Sequence, residues 1–476
     1  MKTKIYGILA AWLLLTASCT RNLDEINTNP NAPIAVEPQL LLRQVIYDCG
    51  EEMAYEGFVA GNLLGQYFTA IDFNLFDRHG LTEPQFGGNP WPTLYANLRD
   101  VQILLNQART NAAQSVYIGP ALILKAYLTM ALTDIYGDVP YSEALQGQSG
   151  NVTPGYDTQE AIYTGTGGIL ASLDVGIAAL EAYSGTTILE GDILFAGDLE
   201  AWIRFGNSLK AKALLRISER IAVSADLSTI YNSGRWMTTN ADNATFDFTA
   251  GQPNNFRMAN LRSGDFNLFV MSETIDSILG ALNDPRVEVL FRPYANAPNG
   301  TEFRGLRNGP DAAQTSISVA DYSLTGTIFR ENTALLDANF LTAWELHFLF
   351  AEAAHRGLIG ADAQSLYETG VQLAFAYWHT ALPADYLTIG PAAWGNNGAD
   401  PLEQIITQKW IANCLNGYEG WIEWRRTGFP AFKPVQASLN NGLIPVRMPY
   451  PTDEAALNGV NFGLQSNSIN DPVWWD

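Results

Sequence analysis

Basic residues are scarce in this chain. It has 27 Lys and Arg residues against 49 Asp and Glu residues, which gives a formal net charge of −22. A protein that binds a nucleic-acid backbone needs a basic surface, and so does one that docks on anionic lipids through charge. The composition therefore argues against a nucleic-acid partner and against membrane binding by charge alone. Apolar residues make up 47% of the chain, which is enough for a sizeable core.

Motifs of covalent and metal chemistry are also missing. The four histidines form no H-E-x-x-H motif, the three cysteines have no zinc-finger spacing, and no P-loop, G-x-S-x-G elbow or dinucleotide fingerprint is present. Glu352 and His355 form a single Glu-x-x-His pair, whereas a carboxylate di-iron site needs two. We interpret this pair as a feature of a helix surface. The sequence predicts no metal, no cofactor and no enzymatic activity, although two distant glycosidase carboxylates would leave no spacing signature.

Residues 1–19 have the pattern of a bacterial lipoprotein signal. Two lysines precede an apolar run over residues 8–15, and two small residues come directly before Cys19. The run is too short to span a bilayer as a permanent helix. We therefore predict a signal peptide over residues 1–18, lipidation of Cys19, and attachment to the membrane through acyl chains. Residues 19–38 contain three prolines and no regular period, and are predicted to be an extended tether.

Two further cysteines, Cys49 and Cys414, leave two alternatives open. One is a disulfide between them, formed in an oxidising compartment. The other is a pair of free thiols, because Cys414 lies on the apolar stripe of a predicted helix, where a buried thiol behaves as a small hydrophobic residue. The spacing of the two residues does not decide between these alternatives.

From residue 39 onward, apolar residues recur every three to four positions in long segments, which predicts a mostly α-helical chain. Between residues 92 and 222 such helices alternate with short turns, a layout typical of helical-pair repeats. Residues 231–338 lose the period and are predicted to be an irregular insertion with a few short strands. The predicted helices cover residues 39–70, 92–108, 118–136, 157–182, part of 191–218, 270–282, 339–357 and 363–382.

A tryptophan-rich stretch near the C-terminus predicts two helices joined by a tight turn. The first begins near Leu402 and carries an apolar stripe, and we expect it to end at Gly417. The second places Trp421 and Trp424 on one face and has two arginines in its last turn, where cations complement the helix dipole. Gly428 is expected to close it. We interpret the tryptophans as core residues that hold this hairpin together.

The same stretch, QKW followed by GYEGWIEWRRTGFP, resembles the C-terminal signature of the SusD/RagB family. Members of that family are nutrient-binding outer-membrane lipoproteins of Bacteroidetes-type bacteria. DIYGDVPYSEAL (134–145), LNDPRVEVLF (282–291) and IPVRMPYPTDEAALN (444–458) are similar to other stretches of the family, in the same order. The resemblance implies a single SusD-like domain over 39–476. In it, TPR-like (tetratricopeptide-like) helices (92–222) pack against a loop-rich half made of the insertion (231–338) and the C-terminal helices and tail (339–476).

The resemblance also implies a function. A SusD-like protein is lipid-anchored in the outer membrane and faces the cell exterior. It captures a nutrient, here expected to be an oligosaccharide, and delivers it to a SusC-like TonB-dependent transporter. Three alternatives stay open: a peptide-binding member of the family, a surface glycoside hydrolase, and a helical-repeat adaptor that binds no ligand.

Irregular regions that mix aromatic and polar residues are the candidate ligand site. Sugars offer apolar faces for aromatic stacking and hydroxyls for hydrogen bonds, so a glycan site combines rings with amide, acidic and guanidinium side chains. Glycan-binding members of the family use aromatic side chains from comparable loops. Three regions supply this mixture: Phe76, Arg78, Asn89 and Trp91 in the first; Tyr294, Asn296, Phe303, Arg304 and Tyr322 in the second; Tyr386, Trp394 and Asn396 in the third.

Overall fold

The computed structural model describes residues 36–81, 87–311 and 316–476, so the predicted signal peptide, Cys19 and most of the tether lie outside the described residues. Within them the chain is mostly helical with a few short strands, as the sequence predicts. The helices are α1 Pro38–Glu56, α2 Asn62–Leu64, α3 Trp91–Thr110, α4 Ile118–Tyr136, α5 Gln159–Thr164, α6 Ile169–Glu181, α7 Leu199–Arg216, α8 Ser224–Ser233, α9 Ser263–Phe266, α10 Glu273–Leu282, α11 Val287–Leu290, α12 Ala343–His355, α13 Ala363–Tyr377, α14 Pro401–Ala412, α15 Gly417–Thr427, α16 Thr452–Leu457 and α17 Gly459–Phe462. The strands are β1 Phe68–Ala70, β2 Val139–Pro140, β3 Tyr156–Asp157, β4 Ala244–Asp247, β5 Phe269–Met271 and β6 Asp337–Leu341, paired antiparallel as β1–β5, β2–β3 and β4–β6.

Helices α3 to α7 form the helical half. The long helices pack in chain order, α3 on α4, α4 on α6 and α6 on α7, which confirms the predicted helical pairs. α4 ends where Gly137 takes a φ of 84°. The stretch 112–136, which contains α4, is long and apolar enough to cross a membrane. However, 83% of an apolar 18-residue segment of this stretch is buried inside the fold, as expected of a core helix. The stretch 159–181 also passes this test, but it is divided between α5 and α6.

Several predicted helices are wrong in part. The predicted helix 157–182 is divided into α5 and α6, because Gly165 closes α5 and Gly167 takes a φ of 75°. The predicted helix 39–70 ends early: after α1, a π-helical turn and α2, the chain turns at Gln66, whose φ is 56°, and enters β1. β1 pairs with β5, and β5 occupies the first residues of the predicted helix 270–282. β6, paired with β4, likewise occupies the first three residues of the predicted helix 339–357. Strand pairing between distant segments overrides local helical periodicity at β1, β5 and β6.

A small hydrophobic cluster, separate from the main core, supports part of the loop-rich half. It consists of Ile71, Val270 and Leu306, and Tyr322 packs at its edge. Ile71 directly follows β1 and Val270 lies in β5. Leu306 N–H donates to the backbone of β5 at 2.8 Å, which attaches the insertion to this strand pair. The cluster therefore joins the first and second aromatic-rich regions of the sequence.

The charged residues of the C-terminal signature are buried in an ion network. Lys409 of α14 lies 3.3 Å from Glu423 of α15, and Glu419 of α15 pairs with Lys212 of α7 at 3.0 Å and with Arg216. All five side chains are at most 6% exposed. Buried ion pairs add little net stability but are costly to break singly. The network fixes the signature hairpin against the helical half.

Gly417 begins α15 instead of ending α14, so the predicted stop is wrong. α14 ends at Ala412, and a Cβ on Gly417 would lie 2.3 Å from the backbone nitrogen of Asn62. A residue with a side chain does not fit this close approach of two backbones. Cys49 and Cys414 are both buried free thiols, which decides between the two alternatives for them.

The tryptophans of the C-terminal region pack much as predicted. Trp410 and Trp421 are buried, and Trp424, half-buried, stacks on Phe432 with ring centroids 4.9 Å apart. Trp475 of the tail is also buried, and its Nε1 donates to a carboxylate oxygen of Asp134 at 2.9 Å. The tail therefore packs back onto the helical half, as its apolar residues require.

Candidate functional site

Three segments meet on one face of the loop-rich half: residues 71–81, 304–311 and 435–443. We call this surface the loop face. Backbone hydrogen bonds join its segments: Leu439 N–H donates to Arg78 O at 2.7 Å, and Ala437 N–H donates to Gly309 O at 2.9 Å. The small hydrophobic cluster contributes one residue to each of the first two segments. Loops held by such a scaffold are common places for ligand sites.

Asp77 is the buried anchor of the loop face. Its Oδ2 accepts hydrogen bonds from Gly309 N–H at 2.7 Å and Ala70 N–H at 3.2 Å, and its Oδ1 accepts one from Asn308 Nδ2 at 2.7 Å. Asn308 Oδ1 in turn accepts from Ser272 Oγ at 2.6 Å. Burial raises the pKa of Asp77 to about 7, and the three N–H donors oppose that shift. One carboxyl group thus fixes the first segment to the second.

Arg78 and His79 attach the third segment. Arg78 Nε donates to Ala437 O at 2.8 Å, and its Nη1 lies 3.9 Å from Asp311 Oδ1. His79 Nδ1 lies 3.1 Å from Leu443 O, and burial lowers the pKa of His79 to about 4, so the ring is neutral near pH 7. The Arg78 side chain is still partly exposed. It therefore places a cation with hydrogen-bond donors at the solvent edge of the face.

Phe73 gives the loop face an exposed aromatic ring. Phe73 is 55% exposed, and among the described residues no other Phe, Tyr or Trp is exposed to a comparable degree. Its φ of 48° is unusual for a bulky residue, and such strain is found preferentially at ligand sites. Phe76, the ring that the sequence predicts as a ligand contact, is buried. The sequence carries no signal that separates the two rings, because the exposed positions 73 and 75 are both apolar and the buried positions include Asn74.

The structure brings the second predicted region together beside the loop face. Arg304 lies over the ring of Tyr294, 4.5 Å from its centroid, and its Nη2 donates to the Tyr294 hydroxyl at 3.2 Å. Asn296 Nδ2 donates to Asp321 Oδ1 at 2.7 Å. Arg304 and Asn296 are exposed, whereas Tyr294 is buried, so this region offers polar groups more than a stacking surface. The other two members, Tyr322 and Phe303, are half-buried against the small cluster and the main core.

The remaining members of the first region lie at the start of α3. Asn89 is exposed and lines a cavity of about 180 Å³ together with Tyr450. Trp91 is buried, with its ring centroid 5.0 Å from that of Tyr136 and 5.9 Å from that of Tyr450. Trp91 is thus a core residue at a helix entry, which leaves only its neighbour Asn89 available to a ligand.

The third predicted region packs inward and does not join the loop face. Tyr386 is buried, donating its hydroxyl hydrogen to Asp284 Oδ2 at 2.7 Å. Trp394 is half-buried against Tyr367, with centroids 5.3 Å apart, and Asn396 Nδ2 donates to a backbone carbonyl at 2.8 Å. Tyr367 also lines an apolar cavity of about 350 Å³, whereas none of the three predicted residues lines it. They order the loop between α13 and α14.

Glu352 and His355 do not act as a pair. Glu352 is only 2% exposed and accepts hydrogen bonds from Arg426 at 2.5 and 2.6 Å, so its placement on a helix surface is wrong. His355 is exposed, with its ring 6.4 Å from that of Trp394. In the described part of the chain, no group of three or more His, Cys, Asp and Glu side chains is arranged to hold a metal ion.

Comparison with known proteins identifies a family. A family model described as starch-binding and associating with the outer membrane, of SusD-like type, matches residues 30–451. Among curated protein sequences, none matches this chain significantly.

Solved structures share the fold over most of the chain. A chitin-binding protein is 26% identical, with a TM-score of 0.78, over 92% of this chain and 100% of its own. A SusD homologue from Bacteroides uniformis is 26% identical, with a TM-score of 0.74, over 92% of this chain and 98% of its own. A chitin-binding SusD homologue from Flavobacterium johnsoniae is 23% identical, with a TM-score of 0.75, over 92% of this chain and 98% of its own. At this identity the similarity shows the fold alone.

Proposed function

The chain belongs to the SusD-like family of starch-binding proteins that associate with the outer membrane, and we propose that it binds an oligosaccharide on the loop face and delivers it to a partner transporter. The observation that carries the binding site is the exposed Phe73 ring on a face that Asp77 holds in place. A ring at the surface can stack on the apolar face of a sugar. A preordered loop loses little conformational entropy on binding.

The polar groups of the loop face and of its edge suit sugar hydroxyls. Arg78, Arg304 and Asp311 lie on the loop face, and Asn296 lies beside it. Together they present donors and acceptors at the solvent edge, which a saccharide with many hydroxyls can satisfy. Since a solved structure 26% identical to this chain is a chitin-binding protein, chitooligosaccharides are the first ligands to test.

Membrane attachment and delivery complete the proposal. The lipoprotein pattern ahead of Cys19 supports a signal peptide over 1–18, a lipid anchor, a tether over 19–38 and one SusD-like domain over 39–476. We propose that the site binds its ligand without covalent chemistry; the buried carboxyl of Asp77 accepts three hydrogen bonds and serves as an anchor of the face. The anchored protein would face the cell exterior and pass its ligand to a SusC-like TonB-dependent transporter.

Calorimetric titration with chitohexaose tests the ligand and the site. Phe73→Ala is expected to weaken binding about tenfold, because it removes the stacking ring while the backbone anchors remain. Leu457→Ala, at an exposed apolar residue of α16, is the matched control and should leave the affinity unchanged. Equal binding by Phe73→Ala and wild type would contradict the assignment of the loop face. Turnover of the glycan by the purified protein would contradict the binding role.

Purification of the lipidated protein from native outer membranes tests the partner. A large β-barrel transporter should copurify in near-equal amount. Recovery of the protein alone on the surface would contradict the delivery role and favour a free-standing binder.

A further inference from the structure

A second cleft, of about 640 Å³, opens on the helical half and shares no residue with the loop face. Its floor is formed by α3 and α4 and its rim by the turns around residues 140–146 and 165–167. Leu98, Gln102 and Lys125 rise from the two helices, and Tyr141, Ser142 and Gln146 come from the first turn. The cleft therefore combines one cation, one ring, hydroxyls and amides, as a saccharide site requires.

Lys125 is the unusual residue of this cleft. The described part of the chain contains five lysines, of which Lys210, Lys212, Lys409 and Lys433 each pair with a carboxylate. Lys125 pairs with none, and its Nζ instead lies 5.0 Å from the ring centroid of Tyr141. In a chain with a net charge of −22, a half-buried lysine without a carboxylate is an exception that calls for a ligand.

Arg109 adds a second positive charge near Lys125. Arg109, at the end of α3, makes no ion pair in the described part of the chain, and burial together with the charge of Arg109 lowers the pKa of Lys125. Asp157 is the carboxylate that lines the cleft, but it is committed to the rim. Its Oδ2 accepts from Tyr141 N–H at 3.0 Å and Ser142 N–H at 2.8 Å, and its Oδ1 accepts from Ser142 Oγ at 2.7 Å.

We propose that this cleft is a second saccharide site that takes an acidic oligosaccharide, with a sugar carboxylate paired to the Lys125 ammonium. The incoming carboxylate supplies the counter-charge that the fold does not. Gln102, Ser142 and Gln146 then face the hydroxyls of the adjoining rings. The inference rests on the proposed function in that the ligand is a saccharide, but it concerns a different surface and a charged class of sugar.

Titration with hexagalacturonate, and with its fully methyl-esterified counterpart, tests this site. Lys125→Met keeps the aliphatic stem and removes the charge, so it should weaken hexagalacturonate binding about tenfold or more. Lys210→Met removes an equal charge from the same helical half outside the cleft, and should have no effect. The esterified ligand should bind wild type and Lys125→Met equally weakly. Unchanged thermal unfolding of Lys125→Met would show that the fold is intact.

Several results would overturn the inference. One is hexagalacturonate binding by Lys125→Met that is as tight as binding by wild type. Others are equal affinity of wild type for the acidic and the esterified ligand, or no hexagalacturonate binding to wild type at all. A pentaglutamate peptide that binds wild type as tightly as hexagalacturonate would assign the cleft to an acidic protein segment. Chitohexaose binding that depends on Phe73, with no hexagalacturonate binding, would contradict this inference and still support the proposed function. The reverse pattern would retain the cleft and reject the loop face.

Discussion

Asp77 couples the loop face to pH. Its pKa is about 7 in the folded protein, raised by burial, against about 3.9 in an unfolded chain. Between these values the folded state binds the extra proton, so the stability that Asp77 contributes falls as pH rises from about 4 to about 7. Asp77→Asn removes that titration. We expect the variant to gain about 1–3 kcal/mol relative to wild type between pH 5 and pH 8.

Urea unfolding of both proteins at several pH values measures this difference. Comparing the two proteins cancels the other titrating groups, including His79, whose pKa is lowered to about 4. A difference between wild type and Asp77→Asn that stays constant from pH 5 to pH 8 would show that Asp77 is ionised throughout.

At this scale the sequence identifies residue types better than positions. Trp410 and Trp421 were expected in the core and lie there, because each sits on the apolar stripe of a helix. Phe73 and Phe76 stand three residues apart in a loop with no helical period, so their opposite exposures depend on backbone turns. Tyr386 was proposed for ligand binding, but its hydroxyl is used by Asp284, more than a hundred residues away in the chain.

At the scale of elements, two glycines of the signature hairpin have different roles. A Cβ on Gly417 would lie 2.3 Å from a backbone atom of Asn62, whereas Gly428 closes α15 with a φ of 78° and no atom near its Cβ position. Gly417→Ala should therefore destabilise the protein by about 3 kcal/mol or more, because neither backbone can move aside. Gly428→Ala should lower the free energy of unfolding by only about 1 kcal/mol, because an alanine is strained in the left-handed conformation. Chemical denaturation of the pair measures both, and equal costs would contradict the close contact.

The ion network of α15 predicts a second effect. Glu419→Gln leaves Lys212 and Arg216 with one fewer buried counter-charge and should cost about 3–5 kcal/mol. Glu403→Gln, at an exposed acid of α14, should change stability by less than about 0.5 kcal/mol. The same denaturation measurement compares them. A Glu419→Gln variant as stable as Glu403→Gln would mean that the network is not cooperative.

Elements whose ends are set locally could be predicted from the sequence. α4 covers 118–136 as predicted, because Gly137 and the proline three residues later stop it. The end of the predicted helix 39–70 could not be predicted from the sequence, since β1 forms only by pairing with β5, about two hundred residues away. The anchor at Asp77 has the same origin, because its partner Asn308 lies in the distant insertion.

At the scale of the whole molecule, two surfaces with different chemistry are built on one fold. The loop face rests on the small hydrophobic cluster and presents Phe73, and the cleft of the helical half presents Lys125. The buried network of the signature joins the helical half to the C-terminal hairpin. Family membership fixes the architecture, whereas the ligand is decided by the side chains that these surfaces expose.

Hydrogen–deuterium exchange with and without saturating chitohexaose maps the bound ligand onto the chain without a prior choice of residue. If the ligand binds the loop face, we expect added protection in its three segments, 71–81, 304–311 and 435–443. Protection confined to the cavity lined by Tyr367, or no change anywhere in the chain, would contradict binding at the loop face.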